Sequence, residues 1–282
     1  MSQQRVLITG ASGQLGQALQ GLNRPGWVMQ PTTSTDLDIR DWQAVRERFS
    51  ALSPQLVIHA AAATSVDRCE REPEWAFEVN ALGTRHVAQG SALVDAQLVY
   101  ISTNYVFNGG KSGPYHEFDQ PNPISVYGAS KLAGEVEALN ATSKCHVVRT
   151  ASVYAEHGNN FVRTMRGLMD RLDRITVVDD QDSNPTYATD LAVAVAEIAA
   201  RAPFGVYHAT NEGTASWHEW AVEIADRIGA TTEVVPIPAS EFERNAEPPA
   251  NGTLVSLPLA RLGITLPPWR DGLKRCLERW PE

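Results

Sequence analysis

The first twenty residues set the strongest constraint on what this chain can become. An apolar, β-branched run at residues 5–9 ends at Gly10, and Gly13 and Gly16 follow at equal spacing before residues 17–20 continue with helical character. A strand feeding a glycine-rich turn and then a helix aims bare backbone amides at whatever sits beyond the strand. It also lets the backbone approach that ligand closely, with a pyrophosphate at the helix N-terminus. The spacing is G-x-x-G-x-x-G, a variant of the more common G-x-G-x-x-G. The chain therefore opens with a βα unit built for a dinucleotide.

The remainder repeats the unit. Residues 27–30, 55–59, 97–101 and 145–149 read as buried strands, and residues 41–49 as a helix opened by Asp41. A helix is expected from about Pro73 to about Leu93, with Asn80 and Gly83 inside it. Ala60, Ala61, Ala62 and Ala63 leave the third strand, where small side chains let a flat ligand lie against the backbone. Alternating strands and helices predict an α/β, doubly wound parallel sheet of Rossmann type, with ligands beyond the carboxyl ends of the strands. Gly10, Ala60 and Thr103 all fall there. The expected division is a cofactor-binding domain at residues 1–150 and a smaller α/β, mainly substrate-binding region at residues 151–282, with chain segments crossing back to the sheet. In the second region we expect a helix opened by Gly158–Phe161, strands at 174–178 and 205–208, a turn at 184–186 and a helix at 191–200. Residues 108–123 read as a long surface loop, and the proline-rich tail at 236–268 as irregular chain wrapping a cleft.

Composition narrows the partners. A formal net charge of -9 argues against a general nucleic-acid or anionic-membrane binder. No apolar run approaches a membrane span, and the N-terminus is expected to enter a strand without a signal-peptide core. Cys69, Cys145 and Cys276 are scattered and odd in number, which fits neither a disulfide framework nor a metal cluster and points to a reducing cytoplasm. His59, His208 and His218 lack metal-ligand spacing and read as structural, so no metal is expected. Trp217 is the tryptophan expected at the cleft wall.

The chemistry is carried by Tyr127 and Lys131, four residues apart and so on one face of a helix. An ammonium near a phenol favours the phenolate, which would lower the Tyr127 pKa and let it move a proton near neutral pH. Thr103, at the end of the fourth strand, supplies an orienting hydroxyl. At the adenosine end, Thr33 and Ser34 stand where an acidic residue would oppose a ribose 2′-phosphate. That favours NADPH, with NADH as the alternative, although no arginine stands ready to pair with the phosphate.

The glycine turn, Ser102–Thr103, Tyr127-Gly-Ala-Ser-Lys131 and Gly158–Phe161 together resemble the extended short-chain dehydrogenases/reductases, over nearly the whole chain. The resemblance implies reduction of the C4 ketone of a nucleotide-linked 4-keto-6-deoxy sugar. Tyr127 would donate the proton, Lys131 would hold the nicotinamide ribose and Thr103 would bind the substrate oxygen. It assigns the cofactor to Gly10, Ser12, Gly13, Gln14, Leu15, Gly16, Thr33, Ser34, Asp38, Ile39, Ala60, Ala61, Ala62 and Asn80, besides Tyr127 and Lys131. It assigns the substrate to Thr64, Val66, Thr103, Asn104, Tyr105, Ser152, Asn160 and Asn251. A homodimer is the assembly it allows. Three positions depart from the family's pattern. Asn104 stands for Asp, Ser152 for Trp, and Pro248 for the arginine of the segment that ends in Asn251. Arg244 and Arg163 are candidates to replace that arginine. Three alternatives stay open: a dehydratase, disfavoured because Asn104 and Tyr105 lack the required acid–base pair, an epimerase that retains its cofactor, and a non-catalytic subunit like the β subunit of methionine adenosyltransferase.

Overall fold

The computed structural model describes residues 3–280, so residues 1, 2, 281 and 282 of the expected regions lie outside the described residues. In chain order, β1 (Gln4–Thr9), α1 (Gln14–Gln20), β2 (Trp27–Thr32), α2 (Trp42–Leu52) and β3 (Leu56–His59) form the first half of the sheet. Helices α3 (Val66–Arg71), α4 (Pro73–Phe77) and α5 (Thr84–Leu93) lead to β4 (Gln97–Thr103), α6 (Val126–Ala141) and β5 (Cys145–Thr150). The second region runs β6 (Val153–Tyr154), α7 (Phe161–Met169), β7 (Arg174–Val178), β8 (Asp182–Ser183), β9 (Thr186–Tyr187), α8 (Ala188–Arg201) and β10 (Gly205–His208). It ends with β11 (Ala215–Ser216), α9 (Trp217–Ile228), β12 (Glu233–Ile237), α10 (Leu257–Arg261) and α11 (Trp269–Glu278).

The main sheet has six parallel strands in the order β10-β5-β4-β3-β1-β2, with the order reversing beside β1. That reversal is where a doubly wound sheet opens a crevice for a ligand. Both faces are covered, which explains the unbroken apolar strands. Val6 and Ile8 pack with Leu191, Val195 and Ile198 of α8 on one face. Leu7, Val57, Leu98 and Val147 pack with Phe49 and Val87 on the other. A second core gathers Tyr154, Trp220, Trp269 and Leu273, with β12 pairing β7 nearby.

Gly10 sits at φ +69, and a Cβ there would lie 2.6 Å from the Ala61 nitrogen. Both the left-handed backbone and the close approach demand glycine. Gly10→Ala is therefore expected to destabilise the fold by at least about 1–3 kcal/mol, from backbone strain alone. A denaturant melt checks this, and an unchanged midpoint would refute it.

Three expectations change. The helix expected from Pro73 to Leu93 is interrupted by a π-helical turn at Glu78–Gly83, and α3 precedes it. The apolar pattern does not distinguish i→i+5 from i→i+4 bonding, so the turn left no trace in it. The turn at 184–186 joins two short strands, β8 and β9, that continue the chain's extended course. The tail contains the end of β12 and the whole of α10, where Ser256 accepts from Leu259 N as a helix cap.

Candidate active site

One cavity of about 930 Å³ runs along the carboxyl ends of the strands, from the glycine turn to Tyr127 and on to Trp217. At its inner wall α6 begins where Ser125 caps it, accepting from Gly128 N at 3.1 Å, while Glu70 accepts from Val126 N at 2.7 Å. These ties fix Tyr127 in the first helical turn and Lys131 one turn further on. Thr103 ends β4 and is buried, with its hydroxyl accepting from Tyr105 N at 3.2 Å. The rings of Tyr105 and Tyr127 meet edge to face, 5.4 Å apart.

Lys131 is buried, donates to the carbonyl of Ile101 at 2.7 Å and lies 4.1 Å from the centre of the Tyr100 ring. Burial pushes its ammonium down to about 7, with Glu135 opposing. The expected lowering of Tyr127 is corrected. Burial pushes that phenol up to about 12, while hydrogen bonding with Thr103 pulls the other way. Desolvation of a phenolate outweighs a cation already engaged with a carbonyl and an aromatic face.

Of the expected site residues, all but three line the cavity. Asn80, buried on the π-helical turn, accepts from Ala63 N at 2.8 Å and donates to the Ser130 hydroxyl at 3.0 Å. It ties the alanine loop to α6 instead of facing the cavity. Asn160 caps α7, accepting from Arg163 N at 3.0 Å and donating to Gln14 at 3.0 Å and Ala155 O at 2.9 Å. Asn251 donates to Lys111 O at 2.8 Å and Gly113 O at 2.7 Å and accepts from the Thr253 hydroxyl at 2.6 Å. Its amide is fully occupied in the protein.

The expected residues thus come together around a reducing geometry: a glycine cradle, small residues beside it, and a hydroxyl, a phenol and an amine at the far end. A profile described as the RmlD substrate binding domain matches residues 4–281. The chain belongs to the RmlD substrate-binding domain family.

Relatives match over nearly the whole of this chain. The spore coat polysaccharide biosynthesis protein SpsK of Bacillus subtilis is 38% identical over 275 residues, 97% of this chain and 97% of that protein. A dTDP-4-dehydrorhamnose reductase of Mycolicibacterium smegmatis is 41% identical over 277 residues, 96% of this chain and 84% of that protein. The crystal structure of a dTDP-4-dehydrorhamnose reductase from Bacillus anthracis in complex with NADP superposes with a TM-score of 0.95 at 40% identity, covering 98% of this chain and 99% of that one.

In this RmlD-family chain the cavity also takes residues that sequence reasoning passed over. Arg40 lines the cavity with Thr33 and Ser34, in the stretch where the sequence offers no arginine ready to pair with a phosphate. It donates to both carboxylate oxygens of Asp38, at 2.7 Å and 3.0 Å. The signal was its place two residues beyond Asp38, but only the folded loop brings it to the cavity, where its side chain stays 43% exposed. Asp182 and Ser183 line the other half, beside the expected Trp217 and the already noted segment with Pro248, Pro249 and Gly252. Ser152 stands there at φ +44 with its hydroxyl 2.7 Å from that of Ser183. Of the two arginines considered as replacements, Arg163 donates to Glu156 O at 2.7 Å and lies over Trp280, while Arg244 lies over Phe242 in the tail segment beside Tyr105.

Proposed function

We propose that this protein is an NADPH-dependent reductase of the C4 ketone of a dTDP-linked 4-keto-6-deoxy sugar, the dTDP-4-dehydrorhamnose reductase step of dTDP-L-rhamnose formation. The observation that carries this is the meeting of Thr103, Tyr127 and Lys131 with the Gly10–Gly16 turn in one cavity. Relatives named for that reductase, spanning nearly the whole chain, support the choice of substrate. The residues fit the cofactor, because Gly10, Ser12, Gly13 and Gly16 line the cavity where β1 turns into α1, so that backbone can meet a pyrophosphate.

NADPH, when bound, supplies the hydride. Thr103 and Tyr127 orient the ketone oxygen, and Tyr127 passes its proton to that oxygen as charge develops there. A phenol that holds its proton up to about 12 enters the reaction loaded. It can still give the proton up, because an alkoxide is a stronger base than a phenolate. Lys131, which sheds its charge more readily than an exposed lysine, lies one turn beyond Tyr127 on α6 and holds the ribose side of the site. Residues 1–150 hold the cofactor, and the region from 151 on mainly the sugar nucleotide, with β10 crossing back to pair β5 in the sheet.

The test mixes the protein with dTDP-4-dehydrorhamnose and NADPH and follows nicotinamide absorbance. Stoichiometric NADPH oxidation is expected. Interconversion of sugars without net oxidation would instead identify an epimerase. The cofactor choice has its own test in Arg40→Ala. Loss of a charge-assisted contact to the 2′-phosphate should weaken NADPH about 10-fold and leave NADH affinity unchanged. Equal effects on the two cofactors would remove Arg40 from that role.

A homodimer and a cytoplasmic location belong to the same proposal. Exposed Leu93, Val136 and Leu139 on the adjoining helices α5 and α6 support the first, with light scattering as its check. Three free, buried cysteines support the second.

A further inference from the structure

The segment at 248–253 forms one wall of the cavity, with Pro248, Pro249 and Gly252 facing in. It is pinned to β8 by two backbone bonds, Asp182 N to Ala250 O at 2.9 Å and Gly252 N to Asp182 O at 2.8 Å. A third tie runs to the reaction centre. The buried Asn104 amide donates to Gly252 O at 2.8 Å, and its oxygen accepts from the Thr103 hydroxyl over a long 3.3 Å.

The direction of these bonds is not free. The Gly252 carbonyl can only accept, so the amide nitrogen of Asn104 must face it. The amide oxygen then faces Thr103, whose hydroxyl must donate to it while accepting from Tyr105 N at 3.2 Å. An aspartate at position 104 would set a second acceptor against the carbonyl. Residue 252 is equally restricted, since a Cβ there would lie 2.4 Å from the Asn104 amide nitrogen and 3.3 Å from Asp182 O. Asn104 and Gly252 therefore form a matched pair, which accounts for the asparagine at a position where the family's pattern has aspartate.

We propose that Asn104 is a positioning residue: held by Gly252, it lets the 248–253 wall fix which way the Thr103 hydroxyl points beside Tyr127. It acts on the reacting oxygen through Thr103, although it also lines the cavity. The wall that encloses the sugar is thereby coupled to the alignment of the proton donor. This deepens the reductase reading and rests on that reading only in its kinetic part.

The experiment compares Asn104→Ala, Gly252→Ala and the double variant with the parent protein. The first readout needs no substrate. The 13Cζ resonance of labelled Tyr127, assigned by its loss in Tyr127→Phe, should move in both single variants and no further in the double. The second readout is kinetic. Each single variant should lose about 10-fold in kcat with KM for the sugar and Kd for NADPH little changed, and the double should fall no lower than Asn104→Ala. Asn104→Asp, nearly isosteric and lacking the donor, should lose a similar factor, which guards against a mere packing defect. An unmoved Tyr127 resonance overturns the proposal. So does a double variant that multiplies the two losses, or a loss confined to KM, which would make Asn104 a direct sugar contact. If the parent protein turns over no 4-keto sugar, the reductase reading fails while the Tyr127 resonance still decides this one.

Discussion

Tyr127→Phe is expected to lower kcat for ketone reduction by about 10²–10⁴-fold, the usual worth of a positioned general acid. NADPH affinity should be unchanged, because the ring and its edge-to-face contact with Tyr105 survive the substitution. A stopped-flow single-turnover measurement with a fluorescence titration of NADPH separates the two effects. Near-parental turnover would mean that another group delivers the proton. Thr103 is the neighbour best placed to do so, and Thr103→Val combined with Tyr127→Phe would then remove what activity remains.

Glu135→Ala is expected to have the largest effect on stability. Glu135 lies one turn beyond Lys131, and both it and Arg149 are almost fully buried, at 3% and 5% side-chain exposure. Arg149 donates to both carboxylate oxygens, at 2.8 Å and 2.6 Å, and the Ser102 hydroxyl adds a third bond at 2.5 Å. Removing the carboxylate strands a buried guanidinium, which costs about 3–5 kcal/mol. At roughly 2–4 °C per kcal/mol for a chain of this size, calorimetry should show a fall of about 6–20 °C. Replacing the pair together, as Glu135→Leu with Arg149→Met, should recover most of the loss, because no unpaired charge remains. If Glu135→Ala melts with the parent protein, the pair contributes nothing to the fold.

The parts of the molecule legible in the sequence share a physical feature: each is a repeating local pattern. Strands buried on both faces read as unbroken apolar runs, and the glycine turn stood out because only glycine tolerates the backbone at Gly10. Thr103, Tyr127 and Lys131 could be placed because a strand end and a helical face fix where side chains stand. What failed depended on direction instead of position. Asn160 and Asn251 occupy the expected stretches of chain, yet the Asn160 amide is taken up by the start of α7 and the nearby Ala155 carbonyl, and the Asn251 amide by carbonyls of the 108–115 loop distant in sequence. Arg40 was missed for the converse reason, since only the folded loop after β2 brings it to the cavity, still exposed and paired with Asp38. The Tyr127 acidity was misjudged because spacing gives proximity to Lys131 but not the burial that opposes ionisation.

The sixth strand of the sheet has a consequence for how the protein is born. A ribosome delivers residues in order, and β10 arrives only after the whole stretch from 151 to 204. Until then β5 is an outer strand with unpaired backbone, although every one of its residues is buried in the finished protein. The face formed by Val6 and Ile8 also waits for α8 to cover it. At about 5–20 residues per second, this interval lasts roughly 3–12 s. During that time each nascent chain offers a sticky edge to its neighbours on the same message. Slower translation between residues 150 and 208 lengthens the exposure, so the yield of folded protein depends on the pace of synthesis as well as on the stability of the product.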